Sequence, residues 1–349
     1  MAKVTRNIGQ RILEILHEHP LSSSKEIHQS LGTEAAYATA KRTIQGLLEA
    51  GLIEAVGKGK ATRYQLSPSY GLLFPIQTEQ YFEREIDERQ IQVQFNTALI
   101  RQTLAQAELF TDTELAFLNQ LQQKFKENIA TLSPAGYQKE FERLAIDLSW
   151  KSSQIEGNTY SLLETERLLK DKETTSGKTR DEATMLLNHK EALDFLLEHP
   201  NYVQPLSIAS IEDIHSILIK ALNVERNIRN RKVGISGTNY QPLDNTFQIR
   251  DALQDMCDLI NQKTNVFEKA LLALVLISYI QPFSDGNKRT ARIVSNALLM
   301  LHNHCPLSFR TVDSIHYKKA MLIFYEQNNI SAFKQIFLEQ YEFAVKTYF

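Results

Sequence analysis

Residues 281–292 read QPFSDGNKRTAR, and they set one acid and three bases, Asp285, Lys288, Arg289 and Arg292, around Gly286 and Asn287. Apolar runs flank this polar stretch on both sides. A helix beginning near Asn287 or Lys288 leaves its first N–H groups without intrahelical partners. Gly286 can take the positive φ that gathers those amides into one concavity. The helix dipole favours acids at such a start and disfavours bases, yet Lys288 and Arg289 fall in the first turn and Arg292 one turn on. The inversion makes sense when a ligand such as a polyphosphate brings the negative charge. Asp285 is then a natural ligand for magnesium, which is usually held by one or two carboxylates plus phosphate oxygens. Phe283 would anchor the loop in the core. The plain alternative is a capped helix with exposed bases.

The elements that must hold this loop follow from the rest of the chain. Its 349 residues suggest two or three domains, with 43% apolar and 23% charged residues, ordinary for a globular protein. The net charge of −2 gives no bulk signal for nucleic acid or anionic membrane, so any such signal is local. Two cysteines, Cys257 and Cys305, cannot frame a protein of this size, and a reducing compartment is expected. The longest apolar run, residues 270–280, is too short to span a bilayer and predicts a buried helix. The opening MAKVTRNIGQ lacks the apolar core of a signal peptide. A cytoplasmic protein without a membrane partner is expected.

Residues 1–68 form a separate module by pattern: three helices, then the strand-like runs LIEAV and TRYQL around the turn GKGKA. Tyr37, Ile44, Leu47 and Leu48 form the apolar set of the third helix. This order, with the LLEAGLI junction, resembles a winged helix. Such a module puts its third helix in the DNA major groove and its wing on the backbone. The DNA-facing residues would be Lys41 and Arg42 on the helix and Lys58, Lys60 and Arg63 on the wing. Nine Lys/Arg against six Glu give the module a mild +3. A winged helix also serves as a protein–protein platform, so a homodimer is the competing use. Residues 69–109 read as a linker and helical connector. Residues 110–349 read as a mostly helical domain interrupted by RKVGISGTNYQPLDNTFQI, a possible hairpin.

Residues 281–292 resemble the motif of the Fic (Fido) family, His-Pro-Phe-x-Asp/Glu-Gly-Asn-Gly-Arg-x-x-Arg, which lies between two buried helices of an all-α domain. Two positions depart: Gln281 stands for the histidine and Lys288 for the second glycine, the latter with precedent in Doc-like relatives. The segment NIRNRKVGISGTNYQPL looks like the family's β-hairpin flap. SSQIEGN matches its inhibitory helix through Ser152, Glu156 and Gly157, with Ser152 and Glu156 four residues apart on one helix face. Without the resemblance, SSQIEGN is a glycine-stopped helix end with a solvated glutamate. The resemblance implies transfer of AMP from ATP to a Ser, Thr or Tyr hydroxyl of a target protein. Asp285 would hold Mg²⁺. Gly286, Asn287, Lys288 and the helix-start amides would bind phosphate oxygens, Arg289 the β-phosphate, and Arg292 the γ-phosphate or, when inhibited, Glu156. The flap residues Val233, Gly234, Ile235, Ser236, Gly237 and Thr238 would clamp the target chain as an added strand.

The family's histidine is the general base, and a glutamine amide can orient but not deprotonate. Losing a general base typically costs about 10²–10⁴-fold. His215 fits a structural role, His302 and His304 lie well past the motif, and His17, His19 and His28 belong to the first module. Three classes of function follow: a weakened or altered nucleotidyltransferase, a nucleotide-binding pseudoenzyme that regulates the winged helix, and a structural interaction module.

Overall fold

The computed structural model describes residues 8–349, with Lys60 described in its backbone alone, so the expectation placed on the Lys60 side chain lies outside the described residues. The chain divides into two compact units. One holds residues 1–75 and 106–115, the other residues 76–105 and 116–349.

In the first unit, α1 (Ile8–Glu18) buries Ile12, Leu13, Ile15 and Leu16 on one face. A capping box between Ser23 and Glu26 opens α2 (Ser24–Leu31). In α3 (Tyr37–Glu49) the buried set is Ala40, Ile44 and Leu47. Tyr37, expected among them, is exposed and packs edge-on against His28. Strands β1 (Ile53–Val56) and β2 (Arg63–Leu66) pair antiparallel, with Ile53 opposite Leu66 and Val56 opposite Arg63. Lys41, Arg42 and Lys58 are exposed. Arg63 is exposed as well and pairs with Glu26, which already closes the α2 cap.

From Asp112 the chain is a succession of helices: α4 (Asp112–Ala130), α5 (Pro134–Ile155), α6 (Leu162–Asp171), α7 (Arg180–Glu198), α8 (Ile208–Leu218), α9 (Thr246–Gln262), α10 (Val266–Ile280), α11 (Asn287–Leu301), α12 (Ser314–Gln327) and α13 (Ser331–Thr347). Ser133, Ser161, Thr179, Asn245, Asn265 and Asp313 cap their helix starts with side-chain oxygens. The expected buried helix is α10, in which every residue from Ala270 to Ile280 is buried. It packs against α11 across the loop of residues 281–286. Cys257 and Cys305 are buried and unbridged, and burial pushes the Cys257 thiol up to about 12. Among the described residues no helix is long and apolar enough to cross a membrane.

One expectation is corrected here. Residues 227–245 form no β-hairpin: no ladder occurs among them, and Gln241 instead bridges Gln94. Side chains take the acceptors a ladder would use, since the Arg229 guanidinium donates to the carbonyls of Arg231 and Leu243. The expected connector, residues 69–109, makes contacts with the helices that follow. The Gln92 N–H donates to the Glu326 carbonyl at 2.7 Å, and Phe95 stacks on Tyr279 at 4.8 Å.

Candidate functional site

Helix α10 ends because Gln281 turns left-handed, with φ 51°. Its side chain is only 8% exposed, and both ends of the amide are engaged. Nε2 donates to the Ser278 carbonyl at 2.7 Å, and Oε1 accepts from Asn287 Nδ2 at 2.9 Å. Asn287 in turn closes the loop, its Oδ1 accepting from the Phe283 N–H and its Nδ2 donating to the Phe283 carbonyl. Phe283 is fully buried, as expected, and His215 stacks on it with ring centroids 3.6 Å apart. The His215 Nε2–H donates to the Asp285 carbonyl, and burial, opposed by that bond, lowers the imidazole to about 4.

Gly286 stands at φ 83° before α11, where a Cβ would lie 3.4 Å from the His215 ring. No side chain caps α11, and the amides of Asn287, Lys288 and Arg289 take no backbone partner. Arg289 is 1% exposed. One of its nitrogens donates to Asp285 Oδ2 at 3.0 Å, while Nε and Nη1 are buried without partners. Asp285 turns outward, its side chain 66% exposed.

Arg292 is fully buried beneath the end of α5. It donates to Ser152 Oγ, to the Ser152 carbonyl and to Glu156 Oε1 at 2.8–2.9 Å, and it lies over the Tyr317 ring. The other Glu156 oxygen accepts from Lys288 Nζ at 2.6 Å. Burial opposes ionisation of Glu156, but Arg292 and Lys288 outweigh it and hold the carboxyl at about 2. Gly157, at φ 100°, and the Asn158 N–H bonded to the Ser153 carbonyl make the glycine stop. The stop and the ion pairs coexist, and Glu156 is not a solvated charge. Ser152 Oγ, which accepts from Arg292, also lies in hydrogen-bond contact with His189 Nε2 at 2.7 Å. Burial and the two nearby arginines, Arg292 and Arg289, keep His189 well below its ordinary pKa.

A cleft of about 400 Å³ opens beside this set, and neither Arg289 nor Arg292 is among its lining residues. Gln281, Asp285, Gly286, Asn287, Lys288 and Glu156 line it, and so do Val233, Gly234, Ile235 and Ser236. Gly237 and Thr238 do not line it; Thr238 is buried, its Oγ1 accepting from the Tyr240 N–H. Sequence reasoning missed the wall supplied by α12, namely Lys318, Met321, Leu322 and Tyr325. The Tyr325 hydroxyl is buried without a partner, an orphan polar atom in the wall. The spacing of these four marks one face of a helix, but nothing in it points that face at the loop.

Residues 205–299 match the Fic/DOC family, so the chain carries a Fic/DOC domain there. It is 27% identical over 163 residues to the protein adenylyltransferase fic-1 of Caenorhabditis elegans, a match covering 44% of this chain and 31% of that protein. To the protein adenylyltransferase Fic of Nematostella vectensis it is 28% identical over 176 residues, or 48% of this chain and 40% of the relative. The chain thus spans less than half the length of these relatives. In fold it is similar to C. elegans Fic-1, with a TM-score of 0.57 and 20% identity over 68% of this chain and 72% of that one. It is equally similar to a Fic-domain signalling protein of Bacteroides thetaiotaomicron, with a TM-score of 0.57 and 19% identity over 66% and 94%.

Proposed function

We propose that the cleft binds Mg²⁺·ATP for adenylyl transfer to a protein hydroxyl, that Glu156 holds the site closed, and that Gln281 leaves turnover slow. One observation carries this reading: a single carboxylate bridges Lys288 and Arg292 where the uncapped start of α11 calls for an anion. Glu156 stands in for a phosphate. In the open state Arg289 offers its unpartnered N–H groups, and the helix-start amides complete the cradle. Asn287 contributes its backbone amide, because its side chain is spent inside the loop.

Among the described residues, Asp285 is the one acid lining the cleft beside Glu156, and no group of three or more ligating side chains occurs. That donor set fits a magnesium that arrives with the nucleotide, one carboxylate completing a shell of phosphate oxygens and water. The ion would neutralise charge on the phosphates. Arg289 and Arg292 orient them, and residues 233–236 present the target chain. No side chain at position 281 takes the hydroxyl proton, which lowers the rate by about 10²–10⁴-fold. Labelled ATP with Mg²⁺ and cell lysate tests the reading, comparing the parent with Glu156→Ala and with Glu156→Ala/Gln281→His. Labelling by the double variant above both forms that keep Gln281 supports it; calorimetry without nucleotide binding in Glu156→Ala refutes it.

A second reading, a nucleotide-binding pseudoenzyme that regulates the N-terminal unit, is favoured by the engagement of both ends of the Gln281 amide. The helix order and hairpin of that unit resemble a winged helix, and Lys41, Arg42 and Lys58 are exposed and able to meet DNA phosphates. Labelling absent from Glu156→Ala but present in Glu156→Ala/Gln281→His decides for it.

A further inference from the structure

The segment that faces the cleft at residues 233–236 has no ladder of its own and runs into a turn at Ser236 and Gly237. Its placement over the cradle must come from its two ends. The near end is rooted by Arg229, a buried cation whose Nε donates to the Gln281 carbonyl at 2.6 Å and Nη1 to the Arg231 carbonyl at 2.7 Å. The Arg229 N–H adds a bond to the Pro282 carbonyl. That end is therefore fixed to the motif loop itself.

We propose that Arg89, outside the family match at residues 205–299, is the positioning residue for the far end. Its Nη2 donates to the Gly237 carbonyl at 2.8 Å, and its Nη1 lies 3.1 Å from Glu326 Oε1. The Arg89 side chain is 5% exposed and that of Glu326 is fully buried. The Tyr81 hydroxyl donates to Glu326 Oε2 at 2.7 Å, and the guanidinium rests over the Phe82 ring. Arg89 is thus a post with two faces, one on a carboxylate of α12 and one on the flap. Two further bonds run beside it, Asn239 Nδ2 to Asp87 Oδ1 and the Gln241 N–H to the Val93 carbonyl. Glu326 belongs to the helix that walls the cleft with Leu322. Gly237, at φ 90°, approaches Leu322 so closely that a Cβ would stand 3.3 Å from Cδ1. The clasp of Arg89 therefore sets the height of residues 233–236 above the cradle. That this height matters for docking a target rests on the reading proposed above; the clasp does not.

A lysine at position 89 can answer Glu326 but lacks the fork that also reaches Gly237. The Arg89→Lys variant separates a positioning role from simple neutralisation of a buried acid. The experiment uses the full chain and follows tryptic cleavage after Arg231 and Lys232, which are exposed within the flap. Cleavage there is expected to quicken about tenfold in Arg89→Lys, with the melting temperature held. Cleavage elsewhere in the second unit stays unchanged, and Mg²⁺·ATP affinity in a Glu156→Ala background stays within about twofold. Arg89→Ala should quicken flap cleavage further, and if it does not fold the lysine variant decides alone. Unchanged flap cleavage in Arg89→Lys overturns the proposal, as does an equal rise at sites throughout the unit. Neither result needs nucleotide or target, so failure here leaves the adenylyl-transfer reading standing.

Discussion

Replacing Glu156 with alanine separates two effects of one carboxylate. The group holds Lys288 and Arg292, and on the proposed reading it also occupies the place of an anionic ligand. Its carboxyl stands at about 2 where an ordinary glutamate stands near 4.5. That depression corresponds to about 3 kcal/mol in favour of the charged form in this position. The side chain is 17% exposed, and Arg292 keeps its bonds to Ser152 and its contact with Tyr317. The nucleotide-free variant should therefore lose somewhat less, about 2 kcal/mol of stability. A nucleotide that must first displace the carboxylate meets the same cost, so its removal should tighten Mg²⁺·ATP binding by up to about a hundredfold. The two effects have opposite signs: the melting temperature falls by a few degrees without nucleotide and recovers with it. Calorimetric titration and thermal scans with and without Mg²⁺·ATP read both. Equal affinity in parent and variant, together with lost stability, refutes the idea that Glu156 competes with a ligand.

The pH dependence of the same pair has a defined window. Because folding depresses the Glu156 pKa, its contribution is fully present above about 4.5 and is lost as pH falls towards 2. The stability gap between parent and Glu156→Ala in denaturant titrations should hold from about pH 8 to 5 and shrink below about 4.5. Gln281→His removes two amide bonds and should cost about 1–3 kcal/mol, while raising labelling in the Glu156→Ala background by about 10² or more; unchanged labelling rules out loss of a base as the reason for slow turnover. Gly286→Ala puts a Cβ at positive φ against His215 and should cost about 1–2 kcal/mol and weaken nucleotide binding, as thermal scans and calorimetry would show. Lys41→Ala/Arg42→Ala should abolish any gel shift with duplex DNA, and binding that survives removes α3 as the DNA-facing helix.

The start of α11 and the burial of α10 were legible because each rests on local chemistry: a glycine before a helix start, and an unbroken apolar run. The partners of the loop between them were less legible, because they arrive from distant parts of the chain. Ser152 and Glu156 could be picked out only through a resemblance, since four-residue spacing before a glycine is common to many helix ends. Tyr317 beneath Arg292, His189 beside Ser152 and the α12 wall left no local signal. The flap was misread as a hairpin for a similar reason. Its glycines and proline suggest a turn, but whether its carbonyls meet a strand or the fork of Arg229 is a tertiary fact. Residues 69–109 read as a linker and helical connector because polar, weakly periodic sequence gives no sign of docking.

The engagement of Gln281 bears on how binding and turnover can separate in this fold. The side chain at this position has two tasks available, accepting a proton and closing the loop. The glutamine amide performs the second with both ends, bonding Ser278 in the preceding helix and Asn287 in the following one. Asn287 then holds both backbone groups of Phe283, so the loop is tied from within before any ligand arrives. A histidine placed here keeps the left-handed backbone at modest cost, since that conformation is several-fold enriched for histidine among non-glycine residues. It has one ring nitrogen to give the loop and one to give a substrate. The glutamine offers a group that closes the loop but cannot change protonation. On the proposed reading, a site so built holds a nucleotide without its chemistry, and its state depends on whether Glu156 or a phosphate sits between Lys288 and Arg292.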